Sequence, residues 1–226
     1  MLTGESARLV QVLSSARETV AIQMAAFEAS GLNWQEESIT SQLLSTCFPS
    51  FRFATFTKME EAATGGDWLW WWVDQTGEAF GMLVQAKRLQ RPWSIDFEYR
   101  KGLQRKRLFE TAEELRVPPM YALYLGSAAF REGNFCRARV PLTCGYCDAA
   151  AISIVPALLT HAGGGSPRDI ASFAFKTPSL SNGYRTQVGL CWGGTPTSAC
   201  WTKSCSPGSL SLKAALGESL DRYSIE

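Results

Sequence analysis

The sequence predicts an α/β sandwich, a mixed central β-sheet flanked by α-helices, built as one folded core with an appended tail. Three observations carry this expectation. Apolar residues recur at helical spacing in several separate stretches, aromatic and β-branched runs of strand length lie between them, and Gly or Pro clusters punctuate the boundaries. At 226 residues the chain is long enough to bury a substantial core.

Residues 5–29 place Val10, Leu13, Val20, Met24 and Phe27 on one helical face, and Gly31 breaks the pattern. A second helix is expected over 34–47, with Ile39, Leu43, Leu44 and Cys47 as its apolar stripe and Pro49 closing it. Glu36 falls near the middle of that stripe and Glu37 towards its edge. Residues 51–57 alternate in strand fashion, Thr64-Gly65-Gly66 signals a turn, and 67–73 form an aromatic strand. The turn sequence 74–78 leads into a second strand, 79–87, so the simplest pairing is antiparallel. A helix over 100–116 turns Leu103, Leu108, Ala112 and Leu115 inward and ends at Pro118-Pro119. Residues 120–125 read as a strand and 149–159 as a helix. From Gly163 the periodicity decays into Gly, Ser, Pro and Thr, so residues 1–160 are read as the core and 161–226 as an extension packed on it.

Composition narrows the function classes. Lys and Arg number 22 against 21 for Asp and Glu, so nucleic-acid binding would need a local patch rather than a basic chain. His161 is the single histidine, which disfavours mechanisms needing a catalytic His and further His ligands. There is no GxxxxGK[ST] loop, and Gly163-Gly164-Gly165 does not stand between a clear strand and a helix, so nucleotide hydrolysis has no support. The first 21 residues mix Glu5, Arg8, Arg17 and Glu18 among apolar positions, unlike a signal peptide, and no stretch is long enough to span a bilayer. Seven unevenly placed cysteines suit reduced thiols. The expected setting is the cytoplasm.

Chemistry concentrates between residues 60 and 87. Asp67 opens one strand after a glycine pair, and Gln85-Ala86-Lys87 ends the next, so a hairpin brings carboxylate, amide and ammonium to one end of the sheet. Side chains alternate along a strand, which puts Gln85 and Lys87 on one face and Ala86 on the other. Phosphodiester hydrolysis needs a divalent cation and a charge that holds the nucleophile. Asp67 and the Gln85 amide oxygen are the expected ligands, Lys87 the residue that orients water, and Glu36 or Glu61 the further carboxylate. Hard Mg²⁺, or Mn²⁺ in its place, accepts such an oxygen set.

Other features admit plainer readings. Trp68, Trp70 and Trp72 share one strand face and Trp71 the other, as expected of a sheet covered on both sides rather than of a base-stacking platform. Cys144-Gly145-Tyr146-Cys147 has zinc-knuckle spacing, with Cys136, Cys191, Cys200 and Cys205 as further donors, but a lone CxxC equally reads as the approach to a helix capped by Asp148. The basic run Arg88, Arg91, Arg100-Lys101 and Arg105-Lys106-Arg107 is either a solvated face or a phosphate-tracking surface, distinguishable by salt dependence.

Gly66-Asp67, a strand, and then Gln85-Ala86-Lys87 resemble the D-x(n)-[DEQ]-x-K signature of the PD-(D/E)xK, restriction-endonuclease-like superfamily, in particular its Mrr-like group, where glutamine often replaces the acid before the lysine. The wider run from Glu61 to Trp68 and from Val84 to Leu89 also looks like an uncharacterised bacterial family assigned to this superfamily. The resemblance covers residues 34–125. It implies a metal-dependent endonuclease acting on nucleic acid, DNA first, in restriction or anti-phage defence, with a homodimer or a defence-system protein as further partner. It also implies that a glutamate on the first core helix faces the metal, by position Glu36 with Glu37 as second choice, and that Gln104 on the later helix contacts phosphate. Gln85 departs from the acidic form of the motif and brings no charge. Two rival expectations follow: a nucleic-acid-binding or regulatory module that keeps the fold without cleavage, and a zinc-stapled interaction domain.

Overall fold

A computed structural model describes residues 4–48, 50–73, 79–91, 94–97, 99, 101–127, 129–131 and 151–160. The chain opens with helix α1, Gly4–Ala29. Gly31, at φ +70°, takes the left-handed conformation that ends it. Its amide bonds the Glu28 carbonyl and the Leu32 amide the Phe27 carbonyl, which satisfies two of the last free acceptors. Helix α2, Glu36–Cys47, follows and buries Ile39, Leu43, Leu44 and Cys47, the expected stripe. Glu36 and Glu37 occupy its first turn, where negative charge is favoured by the helix dipole.

Strand β1, Arg52–Thr55, is followed by a helix the strand and turn signals did not reveal, α3, Lys58–Thr64. Thr57 and Glu60 form a capping box, each side chain bonding the other's backbone amide. The Thr57-x-x-Glu60 spacing was the available signal. Strands β2, Trp68–Val73, and β3, Ala79–Arg88, pair antiparallel as expected. Helix α4, Leu103–Leu115, then crosses to β4, Pro119–Tyr124, which runs parallel to β3.

Residues 151–160 correct an expectation. The predicted helix over 149–159 is instead strand β5, Ile152–Pro156, antiparallel to β4, and a short 3-10 helix, Ala157–Thr160. A short apolar run has no decisive period, and β-branched Ile152, Ile154 and Val155 favour the extended form once β4 offers a partner.

The five strands lie in the order β1-β2-β3-β4-β5, a mixed sheet with helices on both faces. One face carries Trp68, Trp70, Val84, Ala86 and Ala122 against α1 and α2. The other carries Leu69, Leu83, Tyr121 and Leu123 against Leu108 and Ala112 of α4. The fold is thus the expected α/β sandwich. Trp68 and Trp70 are fully packed, edge to face at 5.9 Å, and Trp71 packs on the opposite side, so these three tryptophans belong to the core. No helix among the described residues is long and apolar enough to cross a membrane.

Candidate functional site at the end of the central hairpin

The site begins with the glycine pair. Gly65 caps α3 in the left-handed region, at φ +75°, and lies so close to α4 that a Cβ there would stand 2.3 Å from the Gln104 carbonyl oxygen and 2.4 Å from the Leu108 nitrogen. A Cβ at Gly66 would meet the Leu83 side chain at 2.7 Å. Only a bare backbone passes between α4 and β3 here, and the next residue is Asp67.

Asp67 is pinned by its backbone on both sides: its amide bonds the Val84 carbonyl at 2.8 Å, and its carbonyl accepts the Phe56 amide at 3.0 Å. Its Oδ2 accepts the Ala86 N–H at 2.5 Å, the next amide along β3. The carboxylate thereby stands where a ladder carbonyl would, beside the residue between Gln85 and Lys87. Burial pushes the Asp67 carboxyl up to about 7, the Glu36 carboxylate adds to the rise, and the Ala86 amide opposes it. Glu36, partly buried on α2, is also raised, chiefly by burial, with the Lys87 ammonium pulling the other way. Lys87 is lowered by burial, against the pull of Glu36 and Asp67. Three ionisable groups that burial drives towards neutrality therefore face one another at the ends of β2, β3 and α2.

Gln85 is 1% exposed, and its Nε2 has no hydrogen-bond partner. A buried amide with an unspent polar atom is costly, and its oxygen and nitrogen exchange places by a simple rotation. The Lys87 ammonium donates to Gln104 Oε1 at 3.1 Å and stands 5.9 Å from the centre of the half-exposed Tyr99 ring. Gln104 is thus a partner of the lysine.

The other acids are placed differently. Glu61 is bonded to Lys58 at 3.0 Å and still acts electrostatically on Asp67. Glu37 is exposed; its own backbone amide, and after it the same Lys58 ammonium at 3.3 Å, hold its carboxyl below the ordinary range. Glu36, rather than Glu37, faces the site. Among the described residues, no three His, Cys, Asp or Glu side chains gather as a metal cage.

The basic run is largely turned inward. Arg105 is buried, bonding the Ala157 carbonyl at 3.2 Å and the Thr160 carbonyl and hydroxyl at 3.4 Å, so the expected phosphate contact is corrected to an internal staple for the 3-10 helix. Helical spacing could not foresee this, because the acceptors come from a segment about 50 residues away. Arg88 is likewise drawn in, donating to the Trp34 carbonyl at 2.5 Å with its guanidinium 4.8 Å above the Trp34 ring. Arg107 bonds the Ala62 carbonyl. Lys106 remains exposed, paired with Glu110 at 3.6 Å. His161, Arg100, Trp93 and the cysteines at 136, 144, 147, 191, 200 and 205 lie outside the described residues, and Cys47 is a buried free thiol.

Sequence reasoning missed Glu28, Trp34, Thr40 and Tyr124 around the site. Trp34 Nε1 donates to Glu28 Oε1 at 3.0 Å, and the Thr40 and Tyr124 hydroxyls are 2.9 Å apart. Thr40, one turn beyond Glu36, was the one signal.

The chain belongs to a family of unknown function, DUF6615, whose model matches residues 9–161 and so spans the whole candidate site. No curated protein matches the sequence.

Proposed function

We propose that the protein is a metal-dependent nuclease of the PD-(D/E)xK type that hydrolyses phosphodiester bonds of nucleic acid, DNA first, in a cytoplasmic restriction or anti-phage role. The observation that carries this reading is the convergence of Asp67, Gln85, Lys87 and Glu36 at one end of the central hairpin, with two mutually repelling carboxyls beside a buried ammonium. The defence role and the preference for DNA rest on the resemblance of Gly66-Asp67 and Gln85-Ala86-Lys87 to the Mrr-like motif.

The donor set suits a hard cation such as Mg²⁺ or Mn²⁺. Asp67 and Glu36 supply charge that is destabilised when unneutralised, and the buried Gln85 amide, whose Nε2 has no hydrogen-bond partner, has an oxygen to offer. When bound, such a cation offers Lewis-acid stabilisation of charge building on a phosphoryl oxygen. Lys87, held by Gln104, orients the attacking water and offsets negative charge as the nucleophile approaches. Glu61 shapes the field at Asp67 from the rim.

Supercoiled plasmid nicking with Mg²⁺ or Mn²⁺ tests the reading. Wild type is expected to nick, and Lys87→Ala and Asp67→Ala to lose nearly all activity; equal rates in all three proteins sink the mechanism. The neutral Gln85 favours a second reading, a binding module without cleavage. DNA retention in a gel shift with no nicking at any metal concentration would select it.

A further inference from the structure

We infer that Arg88 and Tyr124 are positioning residues that hold the Glu36 carboxylate against the ends of β3 and β4, an inference that rests on the nuclease reading of this site. The two residues are register partners and the last residues of neighbouring central strands, so they form adjacent posts at one end of the sheet. Each reaches the chain on one side of Glu36. Arg88 Nη1 donates to the Trp34 carbonyl at 2.5 Å and its guanidinium lies 4.8 Å over the Trp34 ring, tying down the residues just ahead of α2. The Tyr124 hydroxyl meets Thr40 Oγ1 at 2.9 Å, one helical turn beyond Glu36 and on the same face.

Glu36 needs such anchoring. It stands first in α2, where Gln35 provides no side-chain cap, and it faces the like charge of Asp67. Repulsion favours swinging that turn outwards, and a carboxylate that swings is not preorganised for a cation. Trp34 is itself held by Glu28, which extends the brace to α1. Tyr124 is wholly buried, so water does not replace its contact with Thr40 when the hydroxyl is removed. The role assigned to Arg88 is therefore geometric rather than a direct contact with a phosphate.

Calorimetric titration with Mn²⁺ alone, with plasmid nicking in parallel, tests this on wild type, Tyr124→Phe, Arg88→Lys and Glu36→Gln. Lysine keeps the charge of Arg88 but lacks its fork and its flat stacking face. Tyr124→Phe and Arg88→Lys should each weaken Mn²⁺ binding about tenfold, by less than Glu36→Gln does, and neither should weaken Glu36→Gln further when combined with it. Tyr124→Phe removes one atom and decides the matter if Arg88→Lys does not fold. Wild-type affinity in Tyr124→Phe, or a loss larger than that of Glu36→Gln, overturns the inference while leaving the nuclease reading intact. A wild type that neither binds Mn²⁺ nor nicks DNA overturns both.

Discussion

Replacing Asp67 by asparagine should make the metal-free protein more stable, and more so as pH rises. The substitution keeps shape, and the Asn carbonyl oxygen can still accept the Ala86 N–H that Oδ2 accepts at 2.5 Å. What it removes is a charge that the fold disfavours. Burial and Glu36 raise the Asp67 carboxyl from the ordinary 3.8 to about 7, so the folded protein holds this proton to higher pH than the unfolded chain does. The Asp67 contribution to stability therefore falls as pH rises from about 4 to about 7 and is level above, by the linkage between proton binding and folding. At 1.36 kcal/mol per pH unit, the cost reaches about 4 kcal/mol at pH 8 and less than half of that at pH 5. Urea unfolding in the presence of a chelator, at pH 5 and pH 8, measures both. The expected result is a higher midpoint for Asp67→Asn at pH 8 and a gap that shrinks by more than half at pH 5. Saturating Mg²⁺ should close the gap at pH 8 by stabilising wild type alone. Equal midpoints at pH 8, or a gap independent of pH, would refute the view of Asp67 as a buried acid lifted by its neighbours.

Gly65→Ala should cost about 3 kcal/mol or more, because a Cβ there strains the left-handed cap and collides with the α4 backbone, which no side-chain rotation relieves; an unchanged urea midpoint contradicts the close approach. Arg105→Met should destabilise by about 2–4 kcal/mol, because the Thr160 carbonyl loses its donor and the Ala157 carbonyl keeps only the Thr160 hydroxyl. The salt slope of DNA binding should stay unchanged in a refolded sample, and a slope reduced by about 1 would restore the phosphate contact. Arg116 closes α4 at φ +55°, where glycine is at ease, so Arg116→Gly should raise the thermal midpoint slightly, by about 0.5 kcal/mol of stability. A lowered midpoint would show that the arginine side chain matters more than its backbone.

The hairpin was legible because its signals are local. Alternation over the tryptophan run and over 79–87, with a turn sequence between, places Asp67 and Lys87 at one end whatever packs around them, and the stripe of α2 puts Glu36 inward by spacing alone. The capping box that starts α3 was equally local and was passed over in favour of the glycine signal that follows it. Strand β5 is different in kind. A short apolar segment is compatible with helix or strand, and β4 decides by offering an unpaired edge.

By itself, then, the sequence determined the sandwich, its central hairpin and the identity of the residues at the hairpin's end, since these follow from periods of about two and 3.6 and from chain breakers. Tertiary structure alone decided what the charges do. Arg88 and Arg105 have the same side chain as any solvated arginine, and only neighbours distant in the chain turn them onto the Trp34, Ala157 and Thr160 carbonyls. The same holds for Asp67, whose elevated carboxyl comes from enclosure and from Glu36 across the sheet end, because desolvation and Coulomb interactions depend on distance in space rather than along the chain.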